Sequence, residues 1–262
     1  MNESDYNLAV CMLASGSKGN AIFLSGGSTS ILIDAGLSGI EIERRLLSKG
    51  FCPEDLDAIL VSHEHSDHVH GVGILSRRFS LPVYINRKTQ KAATIQLGNA
   101  YDVKNFKCGS TFMIENLTIH PFSISHDAED PAGFTVSQNG AKIGIATDLG
   151  VATSVVKTHL RSCDVLILEA NHDTDMLTHG PYPWPLKQRI KGRLGHLSNE
   201  SAKNLLKEVQ HDRLVHVMLA HLSEINNTPQ KAISEVRQAI THCNAQIDVA
   251  SQDVCGELLC IK

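Results

Sequence analysis

No stretch of the chain approaches the ~20 consecutive apolar residues that a membrane-spanning helix requires, so no membrane partner is expected. The seven cysteines, Cys11, Cys52, Cys108, Cys163, Cys243, Cys255 and Cys260, are scattered, odd in number and contain no Cys-x-x-Cys pair. That pattern argues against a disulfide framework and for reduced thiols in a cytoplasmic protein. Residues 1–6, Met-Asn-Glu-Ser-Asp-Tyr, are acidic and polar, unlike a secretory signal peptide. Positive charge is not in excess: 24 Lys and Arg stand against 28 Asp and Glu, a formal net charge of -4. Bulk electrostatics therefore do not announce a nucleic-acid partner, although a local basic patch remains open. There is no glycine-rich phosphate loop, internal repeat, low-complexity segment, coiled-coil heptad or linker-like stretch. With 262 residues and 42% hydrophobic content, the chain can bury a sizeable core, and residues 1–262 are expected to form one domain.

What the chain does have is histidine, 14 in all, several in short clusters. Ser62-His63-Glu64-His65-Ser66-Asp67-His68-Val69-His70 carries a His-x-His-x-Asp-His spacing, four metal-ligand side chains within six residues. Leu56 to Val61 before it is short and apolar enough to be a buried strand, and Val69 to Phe79 after it reads as a helix. The ligands then sit in a loop at the end of a core strand, where the scaffold can hold them rigid. His63 and His65 alternate and can face one ion together, while Asp67 and His68, past the turn, are placed to reach a second. Imidazole and carboxylate suit zinc first, with manganese and iron as alternatives.

In chain order, Leu8 to Ala14 reads as a strand, Ser15 to Asn20 as a polar turn, and Ala21 to Leu24 with Ser30 to Ile33 as a hairpin. Asp34 ends that second strand. It is a helix cap or a residue that orients a ligand from behind, and the capping box Ser38-Gly39-Ile40-Glu41, opening a helix from Ile40 to Lys49, favours the latter. Pro82 to Ile85 reads as a strand and Arg87 to Leu97 as a helix. Strands follow at Thr111 to Ile114, Leu117 to Ile124, Gly133 to Ser137 and Lys142 to Thr147, with Asn139-Gly140 a hairpin turn. Val151 to Leu160 reads as a helix, Asp164 to Leu168 as a strand, and Thr174 to Leu197 as irregular. A helix from about Asn199 to Val209, a strand from Leu214 to Ala220, a helix from Pro229 to Thr241 and strands near Ile247 and Leu258 complete the chain. Strands in two batches, each with helices, are most economically two mixed sheets face to face with helices outside.

His126, Asp148 and His221 each follow an apolar strand. Singly, Asp148 reads equally well as a cap for the helix after it, and His126 or His221 as a satisfied polar residue. Together they fill the deficit of a two-metal site, which needs about eight coordination positions with ions about 3.5–4 Å apart, if Asp148 is shared. His216, within a strand, reads as core; His172 is undecided; His70, His120, His159, His179, His211 and His242 read as ordinary. His196 follows a glycine at a helix start, where a carboxylate such as Glu169 could hold one ring nitrogen and leave the other to donate a proton.

The ordered set of Asp34, His63-x-His65-x-Asp67-His68, His126, Asp148 and His221 resembles the metallo-β-lactamase superfamily over nearly the whole chain. The resemblance implies an α/β (α+β) four-layer αββα sandwich of two mixed β-sheets with a dinuclear site along one edge. It implies that His63, His65 and His126 take one ion, Asp67, His68 and His221 the other, and that Asp148 bridges. Leu13 to Asn20, Leu168 to Asp173, Gly180 to Pro183 and Gly195 to Asn199 look like the small bacterial exonucleases of the YycJ/WalJ type. They imply a 5′-to-3′ DNA exonuclease. Glu169 with His196 looks like the glutamate–histidine relay of related tRNA 3′-processing nucleases, but the chain has no room for the cap domain of larger RNA- and DNA-processing relatives.

The function expected is a cytoplasmic phosphodiesterase with two divalent ions per chain, acting on nucleic acid, DNA ahead of RNA. A metal-bridging hydroxide would attack phosphorus, oriented by Asp67, with Glu169 and His196 assisting departure. Lys187, Arg189, Lys191 and Arg193, with Tyr182 and Trp184, lie between those two residues and would grip flanking phosphates and stack on a base, with Lys18 on the opposite lip. The rival readings are a small-molecule metallohydrolase (cyclic phosphodiesterase, thioesterase or lactonase) and a non-catalytic metal-stabilised binding module. An oxygen-reducing di-iron enzyme fits less well, because His65 stands where such relatives carry a glutamate.

Overall fold

A computed structural model describes residues 6–262, so the acidic segment 1–5 lies outside the described residues. The strands are β1 (Leu8–Ala14), β2 (Ala21–Gly26), β3 (Thr29–Ile33), β4 (Ala58–Leu60), β5 (Pro82–Asn86), β6 (Asp102–Phe106), β7 (Phe112–Ile114), β8 (Leu117–Ser123), β9 (Ala132–Gln138), β10 (Ala141–Ala146), β11 (Val165–Glu169), β12 (His216–Ala220), β13 (Gln246–Val249) and β14 (Leu259–Ile261). They form two seven-stranded sheets, ordered β14-β1-β2-β3-β4-β5-β6 and β13-β12-β11-β10-β9-β8-β7. In each sheet antiparallel pairing gives way to parallel pairing, at β3 in the first and at β10 in the second.

The alternation of side chains along the strands builds three apolar layers. One lies between the sheets and joins Leu8, Val10 and Ile31 to Phe134, Ile143 and Ile167. A second packs helices Ser154–Leu160, Asn199–Val209 and Pro229–Val236 on the outer face of the second sheet. A third packs Gly39–Ser48 and Val72–Phe79 on the outer face of the first. The result is the αββα sandwich, and among the described residues no helix is long and apolar enough to cross a membrane.

Several expectations of secondary structure need correction. The helix read over Val69 to Phe79 is two, Ser66–Val69 and Val72–Phe79. The break at Gly71 admits the segment after β3: Gly71 N donates to Ala35 O, Ala35 N donates to His68 O, and a Cβ on Gly71 would lie 2.5 Å from Leu37 O. The helix read over Arg87 to Leu97 is likewise split, into Arg87–Ala92 and Thr94–Leu97. Strand β6 was hidden by its polar pattern, Asp-Val-Lys-Asn-Phe, typical of a sheet edge with one wet face. The irregular stretch after Asp173 holds two short helices, Thr174–His179, capped by Asp173 Oδ1, and Trp184–Lys191. The helix before β11 starts at Ser154 under a Thr153 cap, so Asp148 is no cap. The helix from Pro229 ends at Val236, and β14 joins the first sheet beside β1.

Candidate metal centre

In open sheets, sites form beyond the carboxyl ends of strands where the winding reverses. Here that rule applies twice, because β3 and β10, the two strands at which pairing switches, deliver Asp34 and Asp148 to the same edge. His63 follows β4, Glu169 ends β11 and His221 follows β12. Asp34, Asp148 and His221 have φ of 59°, 57° and 56°, left-handed backbone that non-glycine residues rarely adopt. Three such residues at one edge mark where the fold maintains strain for a purpose.

The ring nitrogens of the first group converge, with His65 Nδ1 lying 3.2 Å from His63 Nε2 and 3.2 Å from His126 Nε2. A tetrahedral ion at about 2.0–2.1 Å from each nitrogen would space its ligands at about 3.3–3.4 Å. In the second group, His68 Nε2 and His221 Nε2 lie 3.5 and 3.6 Å from Asp67 Oδ2. Asp148 stands at 3.3 Å from both of those rings, Oδ2 to His68 and Oδ1 to His221. Asp148 Oδ2 and His221 Nε2 are nevertheless buried without a well-aligned hydrogen bond. A buried carboxylate oxygen and ring nitrogen left without a hydrogen-bond partner inside such a cluster fit a cation beside them. The ligand-type atoms of four groups lie within 4.8 Å of one another: His63, His65 and His126; His63, His68 and Asp148; Asp67, His68 and His221; and Asp148, Glu169, His196 and His221.

The far sides of the rings are held as metal ligands require. His68 Nδ1 lies 2.8 Å from Asp34 Oδ2, and Asp34 also accepts from Ser62 N and Ser62 Oγ. His126 Nδ1 faces Gly195 O at 3.2 Å, and His63 Nδ1 faces Ser62 Oγ at 3.0 Å. Each leaves Nε2 toward the cluster. Asp34→Ala should therefore weaken metal binding about 10- to 100-fold, measured by competition with a chromophoric chelator; unchanged affinity would show that His68 needs no support.

Charge balance points the same way. Burial would raise the Asp148 carboxyl, but the His221 and His68 rings outweigh it and hold the group well below the usual carboxylate range. Burial works against charge on His221 too, yet Asp148, Asp67 and Glu169 push that ring up to about 10. Glu169, wholly buried, is pulled down to about 2 by His196. His63, next to no carboxylate at hydrogen-bond distance, is driven well below its ordinary value by burial. Buried carboxylates that must otherwise draw protons onto histidines suit a site for cations.

Beside this cluster, His196 Nδ1 meets Glu169 Oε1 at 2.6 Å, and Leu149 N and Leu197 N donate to Glu169 Oε2. A cavity of about 170 Å³ opens on the same side, lined by His196, His221, Tyr182, Arg189, Asn171 and Ser17 among others. Lys187 and Lys191, four apart on one helix face, reach Thr178, and Trp184 is 71% exposed. Arg189 pairs with Asp127 at 2.7 Å, Lys18 pairs with Glu224, and Arg193 contributes its carbonyl to Ser125 Oγ. His172, buried and lowered to about 4 by that burial, belongs to none of the ligand groups. His216 is buried at the start of β12, near Asp248. Sequence reasoning did not single out Ser62, Asn171 or Asp127, and Asn20 only as part of a turn. The one signal was small polar residues standing beside ligand positions.

A family model described as "Beta-lactamase superfamily domain" matches residues 29–217. The chain is 36% identical over 231 residues to the exodeoxyribonuclease YycJ of Bacillus anthracis, covering 87% of this chain and 88% of that one. It is 38% identical over 233 residues to the exodeoxyribonuclease WalJ of Streptococcus pneumoniae, covering 87% of each. The metallo-β-lactamase fold protein YhfI of Bacillus subtilis superposes with a TM-score of 0.76 at 17% identity, over 95% of this chain and 99% of that one, a likeness of fold. The chain belongs to the metallo-β-lactamase superfamily, in the branch that holds the YycJ and WalJ exodeoxyribonucleases.

Proposed function

We propose that the protein is a dinuclear metal-dependent exonuclease that cleaves DNA from the 5′ end, using His196 as proton donor. At the coarser level it is a metal-dependent hydrolase of the nuclease or phosphodiesterase class, as its family and its exodeoxyribonuclease relatives indicate. The observation that carries the dinuclear reading is that Asp148 falls in one ligand group with His63, of the first set, and in another with His221, of the second. His63, His65 and His126 would hold one ion, and Asp67, His68 and His221 the other, with Asp148 common to both. Divalent ions there, zinc first, would supply Lewis acidity at phosphate oxygens and make water a nucleophile near neutral pH. Asp67 orients the attacking water. Burial works against a proton on His196, but Glu169 outweighs it and raises the ring above its ordinary pKa. That balance favours a proton on the ring, and with Nδ1 held by Glu169 the proton to be donated to the departing oxygen sits on Nε2. Residues from Leu8 to Ile261 share the layer between the sheets, which supports one domain, and the seven free thiols support a reducing cytoplasm.

The test is cleavage of 5′- and 3′-end-labelled DNA, matched RNA and bis(p-nitrophenyl) phosphate in parallel by metal-loaded protein. Stepwise loss of nucleotides from the 5′ end of DNA is expected. Turnover of the small ester without attack on either polymer would favour the small-molecule reading. Arg189→Ala should raise KM for long DNA several-fold and spare the small ester, because Arg189 alone of the helix's basic residues lines the cavity. An equal change on both substrates would make Arg189 scaffold.

A further inference from the structure

The side chains of Ser15 and Asn20, in the turn Ser15-Gly16-Ser17-Lys18-Gly19-Asn20, have no task in the reaction proposed above. Two of its side chains reach inward, and both touch segments that carry ligands of the same group. Ser15 Oγ accepts from His221 N at 2.7 Å, at the residue whose φ is 56°. Asn171 Nδ2 donates to His221 O at 2.8 Å, so the strained peptide is held from both sides. Asn20 is 6% exposed, and its amide orientation is set by its neighbours. Gly16 N can only donate, and it meets Asn20 Oδ1 at 2.9 Å. Nδ2 must then face the cluster, where it lies 3.2 Å from Asp67 Oδ2 and 3.1 Å from His68 Nε2. The backbone repeats the contact: Asn20 N donates to Asp67 O at 2.7 Å, and Gly36 N donates to Asn20 O at 2.8 Å. Only glycine fits at position 36, because a Cβ there would stand 1.6 Å from Asp67 O. The turn is anchored from outside as well. Gln252 Oε1 accepts from Lys18 N, Gln252 Nε2 donates to Gly19 O, and Ser15 N donates to Ser251 O.

We infer that the Ser15–Asn20 turn is a brace for one of the two ion positions, with Ser15 and Asn20 as positioning residues for His221 and Asp67. Neither residue reaches His63, His65 or His126, so the brace serves the Asp67–His68–His221 position alone. The inference rests on the metal reading above. A carboxylate oxygen has lone pairs for both an ion and an amide N–H, and the Asn20 contact fixes which way Asp67 turns.

The experiment titrates metal-stripped wild type, Ser15→Ala and Asn20→Ala with Zn²⁺ against a chromophoric chelator and records the melting temperature of each metal-free protein. In both variants one binding step should weaken by about 10- to 100-fold while the other holds, with the metal-free melting temperature little changed. Wild-type affinity at both steps, or equal weakening of both together with a lower metal-free melting temperature, overturns the brace. Ser15→Ala removes one oxygen from the turn, so it decides the matter if Asn20→Ala does not fold. A wild type with a single binding step overturns the dinuclear reading instead. The same comparison then judges the brace on that step, a loss supporting it and an unchanged affinity overturning it.

Discussion

The His196→Ala variant is expected to bind the same two ions as the wild type and to turn over DNA roughly 100- to 10,000-fold more slowly, the usual range for a lost general acid. The expectation separates two roles that the geometry sets side by side, since His196 also lies within a ligand-type group with Asp148, Glu169 and His221. Its Nδ1 is already committed to Glu169 at 2.6 Å, the shortest polar contact in the site, which leaves one nitrogen for chemistry. A donor matters most when the departing oxygen is a poor leaving group. The defect should therefore shrink on bis(p-nitrophenyl) phosphate, whose p-nitrophenolate needs little protonation. Loss of an ion from His196→Ala would make it a ligand, and equal losses on both substrates would remove the proton-donor role.

Much of this candidate site was legible because its ligand-type side chains are chemically loud residues at places where a core strand stops. His63, His126, Asp148, Glu169 and His221 each follow or close an apolar run, and the structure brings them to one edge. The supporting residues were quiet for a physical reason. Asn20, Ser62 and Asn171 are polar residues in loops, where such residues are common, and their meaning lies in contacts across the fold. Asn20 meets Asp67 47 positions away, and Lys18 N meets Gln252 234 positions away. No local pattern encodes such pairings. The same limit explains the helix at Gly71, whose break is set by a segment arriving from β3, and β6, whose polar residues face water. The basic residues show a further gap between pattern and place: Lys187, Arg189 and Lys191 alternate in sequence, but Lys187 and Lys191 share one helix face toward Thr178 while Arg189 turns to Asp127.

The second large effect is expected from Asp148→Ala. Its carboxylate stands 3.3 Å from both the His68 and His221 rings and is nearly fully buried, so no solvent-exposed group can replace it. Removing it should cost one ion by elemental analysis. Turnover should fall at least about 1,000-fold, since Lewis-acid stabilisation is worth several kcal/mol and each ~1.4 kcal/mol is a factor of ten. The Asp34→Ala change, which loosens His68 from behind, should be milder. A variant at Asp148 that keeps wild-type stoichiometry and rate would show that the carboxylate is not shared.

The cooperation of two ions is tested most directly by stepwise reconstitution. Metal-stripped protein is given measured fractions of an equivalent of Zn²⁺ or Mn²⁺, and DNA cleavage is followed at each addition. Activity is expected to stay low through the first equivalent and to rise over the second. Full activity at a single equivalent, with no further gain, would contradict a dinuclear centre.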